Sequence, residues 1–161
     1  RPRSTATFDP NAGGDPEAER RLAALKAKAE KDPRAAYDLG LRYFRGDGVR
    51  QDSYQALQWM RDAAERGDLK AQVAVGKLYL MGLEEMGSDP AEAEKWLSIA
   101  AGRGHKEAKK LLAQASTAKK NEVAYRRWVD TQRVYLREYW QSRYTYRWYW
   151  NNSGWYYRDD Y

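Results

Sequence analysis

The chain has no cysteine and a single histidine among its 161 residues. Without cysteine, these residues offer no disulfide staple, thiolate nucleophile, thiolate metal site or lipid-linked cysteine. One histidine, His105, cannot build a histidine metal cluster, and in the pattern described below it falls at a helix start, which reads as a surface or capping position. The carboxylates Glu84, Glu85 and Asp89 flank a loop without the spacing of an acid–base pair or a calcium loop. Gly46-Asp47-Gly48 lacks the strand–turn–helix context of a phosphate loop. No catalytic residue, metal ligand or cofactor is expected, and the chain reads as a non-enzyme. Long apolar runs are also missing, and nothing approaches the roughly 20 residues that span a bilayer. No secretory leader is legible, and the chain opens at Arg1 and not at a methionine. That suits a mature form whose leader was removed, or a trimmed chain.

What the chain has is an internal repeat. Leu39-Gly40-x-x-Tyr43-x-x-Gly46-x-Gly48-Val49 is followed by Asp52, Ala56, Trp59, Ala63-Ala64 and Gly67. Val75-Gly76-x-x-Tyr79-x-x-Gly82 is followed by Asp89, Ala93, Trp96, Ala100-Ala101 and Gly104. The offset is 36 from Gly40 to Gly76 and 37 from Trp59 to Trp96, so the second copy has one more residue between its two helices. A fixed period of this size marks a helix-pair solenoid, and such folds usually bind. Each position has a physical task. Glycine inside a helix costs about 1 kcal/mol against alanine, which makes sense at Gly40 and Gly76 if a neighbouring helix crosses there. Gly46, Gly82, Gly67 and Gly104 suit helix ends. Asp52 and Asp89 suit N-caps, with Pro90 at the first turn.

These residues resemble the Sel1-like repeat family, relatives of the tetratricopeptide repeat. The specific parts are the Gly-Asp-Gly-Val turn at 46–49 and the Trp-x-x-x-Ala-Ala-x-x-Gly ends; the match covers about residues 34–104. The second copy departs at Leu83–Ser88, where the turn is absent, so an altered loop is expected. The resemblance implies an all-α scaffold or adaptor that holds a protein partner. It also implies a bacterial cell-envelope or secretion setting, with a periplasmic or secreted location and the cytoplasm left open.

The expected organisation is a short αα-repeat solenoid with helical caps. It comprises a flexible leader at 1–14, a cap helix at 15–31, repeats at 32–68 and 69–105, a long cap helix at 106–143, and an aromatic-rich extension at 144–161. Two repeats need caps, because about three are usually required to bury their faces. Asp15, Pro16 and Glu17 start the first cap, and Leu22, Leu25 and Ala29 form its stripe. His105–Ala115 copies the start of a further repeat and then departs from it.

The C-terminal part concentrates aromatics: 14 of the chain's 22 lie in 125–161. Segment 119–161 carries nine Lys/Arg against five Asp/Glu, most of the chain's net +6. Residues 144–150 and 155–158 are strand formers around Asn151-Asn152-Ser153-Gly154, the composition of a small hairpin. A lone hairpin is marginal in water and must pack on something.

Two candidate surfaces follow. By register, the groove side of the first helices carries Arg34, Tyr37, Leu41 and Phe44, then Lys70, Val73, Lys77 and Leu80. This apolar strip with positive edges suits an amphipathic or acidic peptide, unless the caps or the chain's own tail bury it. In the tail, Trp140, Tyr144, Tyr146, Trp148, Trp150 and Trp155 are candidates for protein or glycan contact, or for peripheral contact with a membrane. Interleaved bases and aromatics also occur in single-strand nucleic-acid binders, but the modest charge excess and Asp159 and Asp160 argue against that partner.

Overall fold

A computed structural model describes residues 15–83 and 87–158. The expected leader at 1–14 and the residues 84–86 and 159–161 lie outside it. Seven α-helices follow in order: α1 Pro16–Lys31, α2 Pro33–Arg45, α3 Ser53–Glu65, α4 Leu69–Met81, α5 Pro90–Gly102, α6 Lys106–Ala118 and α7 Glu122–Glu138. A π-helical turn, Tyr139–Arg143, continues α7. Two antiparallel strands end the described chain, β1 Trp148–Asn151 and β2 Gly154–Tyr157.

Polar caps punctuate the helices. The side chains of Asp15, Asp32, Asp52, Asp68 and Asp89 each accept a backbone N–H in the first turn of the helix that follows. His105 caps α6, its Nδ1 accepting the Ala108 N–H at 3.2 Å. Each satisfies a donor the helix leaves unpaired.

Helices α2 and α3 form the first repeat, α4 and α5 the second, each pair in close contact. The internal glycines mark the crossings. A Cβ on Gly40 would stand 2.8 Å from Met60 Cγ and 3.0 Å from the Ala56 carbonyl oxygen of α3. In the second repeat, a Cβ on Gly76 would stand 2.8 Å from Leu97 Cγ of α5. The inter-helix loops share one tie: the Asp52 N–H donates to the Tyr43 carbonyl at 2.9 Å, and the Asp89 N–H to the Tyr79 carbonyl at 2.8 Å. The loop at Leu83–Ser88 falls partly outside the described residues. On its far side, Ser88 Oγ donates to the Leu80 carbonyl at 2.8 Å.

The C-terminal region departs from a single long cap helix. The chain breaks at Lys119–Asn121, and Asn121 restarts it by capping α7, its side chain accepting the Ala124 N–H at 3.0 Å. The break frees α7 from the direction of α6. It packs against α4 as well as α6, and the π-turn then reaches α2. Arg133 Nε donates to the Met81 carbonyl at 2.9 Å and satisfies the end of α4. The chain thus doubles back across the face formed by the first helices of the repeats.

The expected hairpin is present. Asn152 and Ser153 have φ of 47° and 68°, the pair of positive values a two-residue type I′ turn needs. Burial alternates along both strands: Trp148 and Trp155 are buried and Trp150 and Tyr157 half-buried, while Tyr149 and Tyr156 point outward. The inward rings pair across the strands, Trp148 with Tyr157 at 5.4 Å and Trp150 with Trp155 at 5.5 Å. They continue the hydrophobic core of the helices.

Candidate functional site

The first-helix face is shared between the C-terminal segment, which covers α2, and an open cleft beside α4. On α2 the docking is specific. Tyr37 meets Trp140 and Tyr144 edge-on, with centroids 6.2 and 5.7 Å apart. Asp38 is 1% exposed in the middle of the helix. It accepts from Arg42 Nε at 2.6 Å and from the Trp148 N–H at 3.1 Å. Burial pushes its carboxyl above the ordinary value, against the pull of Arg42. Arg42 also donates to the Trp148 carbonyl at 2.9 Å. Arg45 donates to the carbonyls of Trp140 and Tyr144. The Tyr146 ring lies 4.0 Å from the Arg42 guanidinium and 4.9 Å from that of Arg45, and its hydroxyl donates to Asp47 at 2.6 Å. At the far edge, Trp155 Nε1 donates to the Arg21 carbonyl of α1 at 2.8 Å.

The cleft has a volume of about 440 Å³. Lys70, Val73, Ala74 and Lys77 of α4 form one wall, and Tyr139, Trp140 and Tyr144 another. His105 and Glu107, at the start of α6, line it too, with Arg143 and Arg147 opposite. Lys77, 8% exposed, donates to Glu107 Oε1 at 2.8 Å. Burial, and then the charge of Arg147, pull the Lys70 ammonium below its ordinary value.

The structure therefore divides the groove residues. Tyr37, Val73 and Lys77 meet at the cleft, together with Lys70. Leu41, Phe44 and Leu80 are buried in the helical core. Arg34 lies under the hairpin, its guanidinium 3.9 Å from the Tyr157 ring and paired with Asp32 at 2.9 Å. Of the tail residues, Tyr144 is half-buried at the cleft, and Trp140 beside it is 2% exposed. Trp148 and Trp155 are buried against α1 and α2, and Tyr146 and Trp150 are half-buried. The outward aromatics of the hairpin are Tyr149 and Tyr156, which the sequence reading did not select; strand alternation alone carried that signal.

Asp38, Arg42 and Arg45 were also overlooked. The repeat frame held a clue: 36 residues on, their counterparts are Ala74, Leu78 and Met81. At these three positions the polar groups of α2 bond the docked C-terminal segment.

These features define an α/α-repeat solenoid with its own C-terminal segment on part of its first-helix face. Residues 33–68 and 69–105 match the family model described as Sel1 repeat, and the chain carries two Sel1 repeats. Such repeats generally mediate protein–protein interaction and are generally non-catalytic. A Sel1 repeat protein from Oxalobacter formigenes is 29% identical with a TM-score of 0.53, over 72% of this chain and 90% of that one. A protective antigen of uropathogenic Escherichia coli with an SLR fold is 33% identical with a TM-score of 0.56, over 72% of this chain and 25% of its own. An uncharacterized Neisseria meningitidis protein is 33% identical over 92 residues, 57% of this chain. The chain spans only 18% of that relative's length. Among the described residues, no helix is long and apolar enough to cross a membrane.

Proposed function

We propose that this chain is a non-enzymatic adaptor that holds a protein partner on its first-helix face, within a bacterial envelope or secretion assembly in the periplasm or outside the cell. The observation that carries the reading is the occupied half of that face. Around α2, the face takes up a segment of the chain's own making through stacked rings, backbone carbonyls bound by arginine and a backbone N–H bound by Asp38. A surface that recognises an aromatic segment in this way has the chemistry of a peptide groove, and the cleft beside α4 continues it. Support for the envelope setting is the likeness to a protein described as a protective antigen.

The test is site-specific photo-crosslinking in the native cell. A crosslinking residue at position 70, on the cleft, is compared with one at position 54, on α3, where Tyr54 is 65% exposed. Capture of one defined protein from position 70 and not from 54 supports the adaptor reading. Equal capture, or none, overturns it. Recovery of the chain in the cytosolic fraction would remove the envelope setting alone.

A second reading is recognition of glycan or peptidoglycan. It is favoured by the outward pair Tyr149 and Tyr156, whose rings lie 6.1 Å apart. Muropeptides that quench tyrosine or tryptophan emission in the intact chain, but not after Tyr149→Ala with Tyr156→Ala, would support it. Absence of any spectral change would remove it.

A further inference from the structure

Repeat 1 and repeat 2 offer the same face to different surroundings. In repeat 1 the C-terminal segment covers it: Arg34 lies on the Tyr157 ring, and Tyr37 is closed in by Trp140 and Tyr144. The matching positions of repeat 2 are Lys70, exposed at the edge of the cleft, and Val73, which borders the cleft but is itself 4% exposed. Among the described residues, the cleft lining carries the cationic side chains Lys70, Lys77, Arg143 and Arg147 and one carboxylate, Glu107. Glu107 is committed to Lys77 at 2.8 Å, and Lys70 has no ion-pair partner among the described residues. Arg143 stands 4.0 Å from Glu138, both well exposed, a contact of little strength. Between the cations lie the rings of Tyr37, Tyr139, Trp140 and Tyr144.

Resting on the adaptor reading, we propose that this cleft receives an acidic segment of the partner protein, with glutamate or aspartate side chains meeting Lys70 and Arg143 and an aromatic side chain between them seated on the half-buried rings of Tyr139 and Tyr144. The charge excess selects the sign of the ligand, and exposed cations at the rim act chiefly on sign selection and on-rate, which salt screens. The Lys70 ammonium, held down by burial and by its cationic neighbour, is relieved when a carboxylate arrives. The aromatic wall supplies desolvated area of the kind on which interface hot spots form. Its rings are fixed by the arginine-bound carbonyls of Trp140 and Tyr144, so little ordering is left for the ligand to impose.

Three short fluorescein-labelled peptides test this, built on repeating Glu-Glu-Phe, Gln-Gln-Phe and Lys-Lys-Phe, with anisotropy read on the full chain. The Glu-Glu-Phe peptide should bind, weaken steeply with salt, and lose about tenfold or more in affinity with the double variant K70E/R143E. Both side chains are exposed at the rim, and an unchanged thermal melt of the variant shows that binding and not folding was altered. Equal binding of Gln-Gln-Phe, indifference to K70E/R143E, or no binding of Glu-Glu-Phe overturns the proposal. So does a single-stranded oligonucleotide that binds where the acidic peptide does not. Protein capture at position 70 without acidic preference removes this inference and leaves the adaptor reading; failure of both removes both.

Discussion

Asp38 Oδ2 accepts the backbone N–H of Trp148 at 3.1 Å, across 110 residues of chain. Its other oxygen takes Arg42 Nε at 2.6 Å, so one buried carboxylate joins the first repeat to the first strand of the hairpin. Removing one member of a buried, hydrogen-bonded charge pair leaves the other uncompensated. Asp38→Ala should therefore destabilise the chain by about 2–3 kcal/mol. Denaturant unfolding followed by tryptophan fluorescence measures this, and a loss under about 1 kcal/mol would show that water replaces the carboxylate without penalty.

A bolder substitution separates the tail from the repeats. Asp38, Arg42 and Arg45 become the residues repeat 2 carries at the same positions, giving D38A/R42L/R45M. Ala74, Leu78 and Met81 are buried in α4, so the repeat frame tolerates these types. The helices should persist while 144–158 undocks, because its carbonyls and the Trp148 N–H lose their partners. The expected signature is retained helical circular dichroism, a red-shifted tryptophan emission, and rapid tryptic cleavage at Arg147. A chain that stays resistant there would mean that ring packing alone holds the segment.

The repeat architecture was legible because its determinants are local. Gly46 and Asp52 each act within one turn, Gly40 and Ala56 meet between adjacent helices of one repeat, and their spacing writes the helix pair directly. Docking of the tail was legible only as an option. Tyr37 meets Tyr144, and Arg45 meets the Trp140 carbonyl, through contacts 95 residues or more apart, and no periodicity connects such positions. What the sequence did hold was a set of departures from its own repeat, polar at 38, 42 and 45 where the second copy is apolar. The break of the last cap at Asn121 was likewise written in a residue, a capping asparagine followed by Glu122, inside a polar stretch whose amphipathic stripe masked it.

The two internal glycines should respond unequally to alanine. Gly40 faces the Ala56 carbonyl oxygen at 3.0 Å for a built Cβ, and backbone of α3 cannot move without shifting that helix. Gly76 meets chiefly the Leu97 side chain, at 2.8 and 2.9 Å, with the Ala93 carbonyl farther off at 3.3 Å. Overpacking costs about 1–3 kcal/mol, against a gain of about 1 kcal/mol in helix propensity. Gly40→Ala should thus lower stability by up to about 2 kcal/mol, while Gly76→Ala stays closer to neutral as Leu97 changes rotamer. Thermal melts of the two single variants decide the ordering, and a larger loss at Gly76 would refute it.

Alkaline titration reads the docked tail directly. Burial raises Tyr37 and Tyr144 above the ordinary tyrosine value; for Tyr146, burial is joined by its hydrogen bond to Asp47. In the unfolded chain these hydroxyls ionise near pH ~10. Above that pH the folded state holds more protons than the unfolded state, so stability falls as pH rises. Part of the tyrosinate absorbance should therefore appear late, together with loss of the hairpin's near-ultraviolet circular dichroism. In D38A/R42L/R45M, with the segment undocked, Tyr144 and Tyr146 leave their buried sites and the late fraction should shrink. If wild type and variant give superimposable tyrosinate curves, these hydroxyls are not held in the buried positions from which the docking is argued.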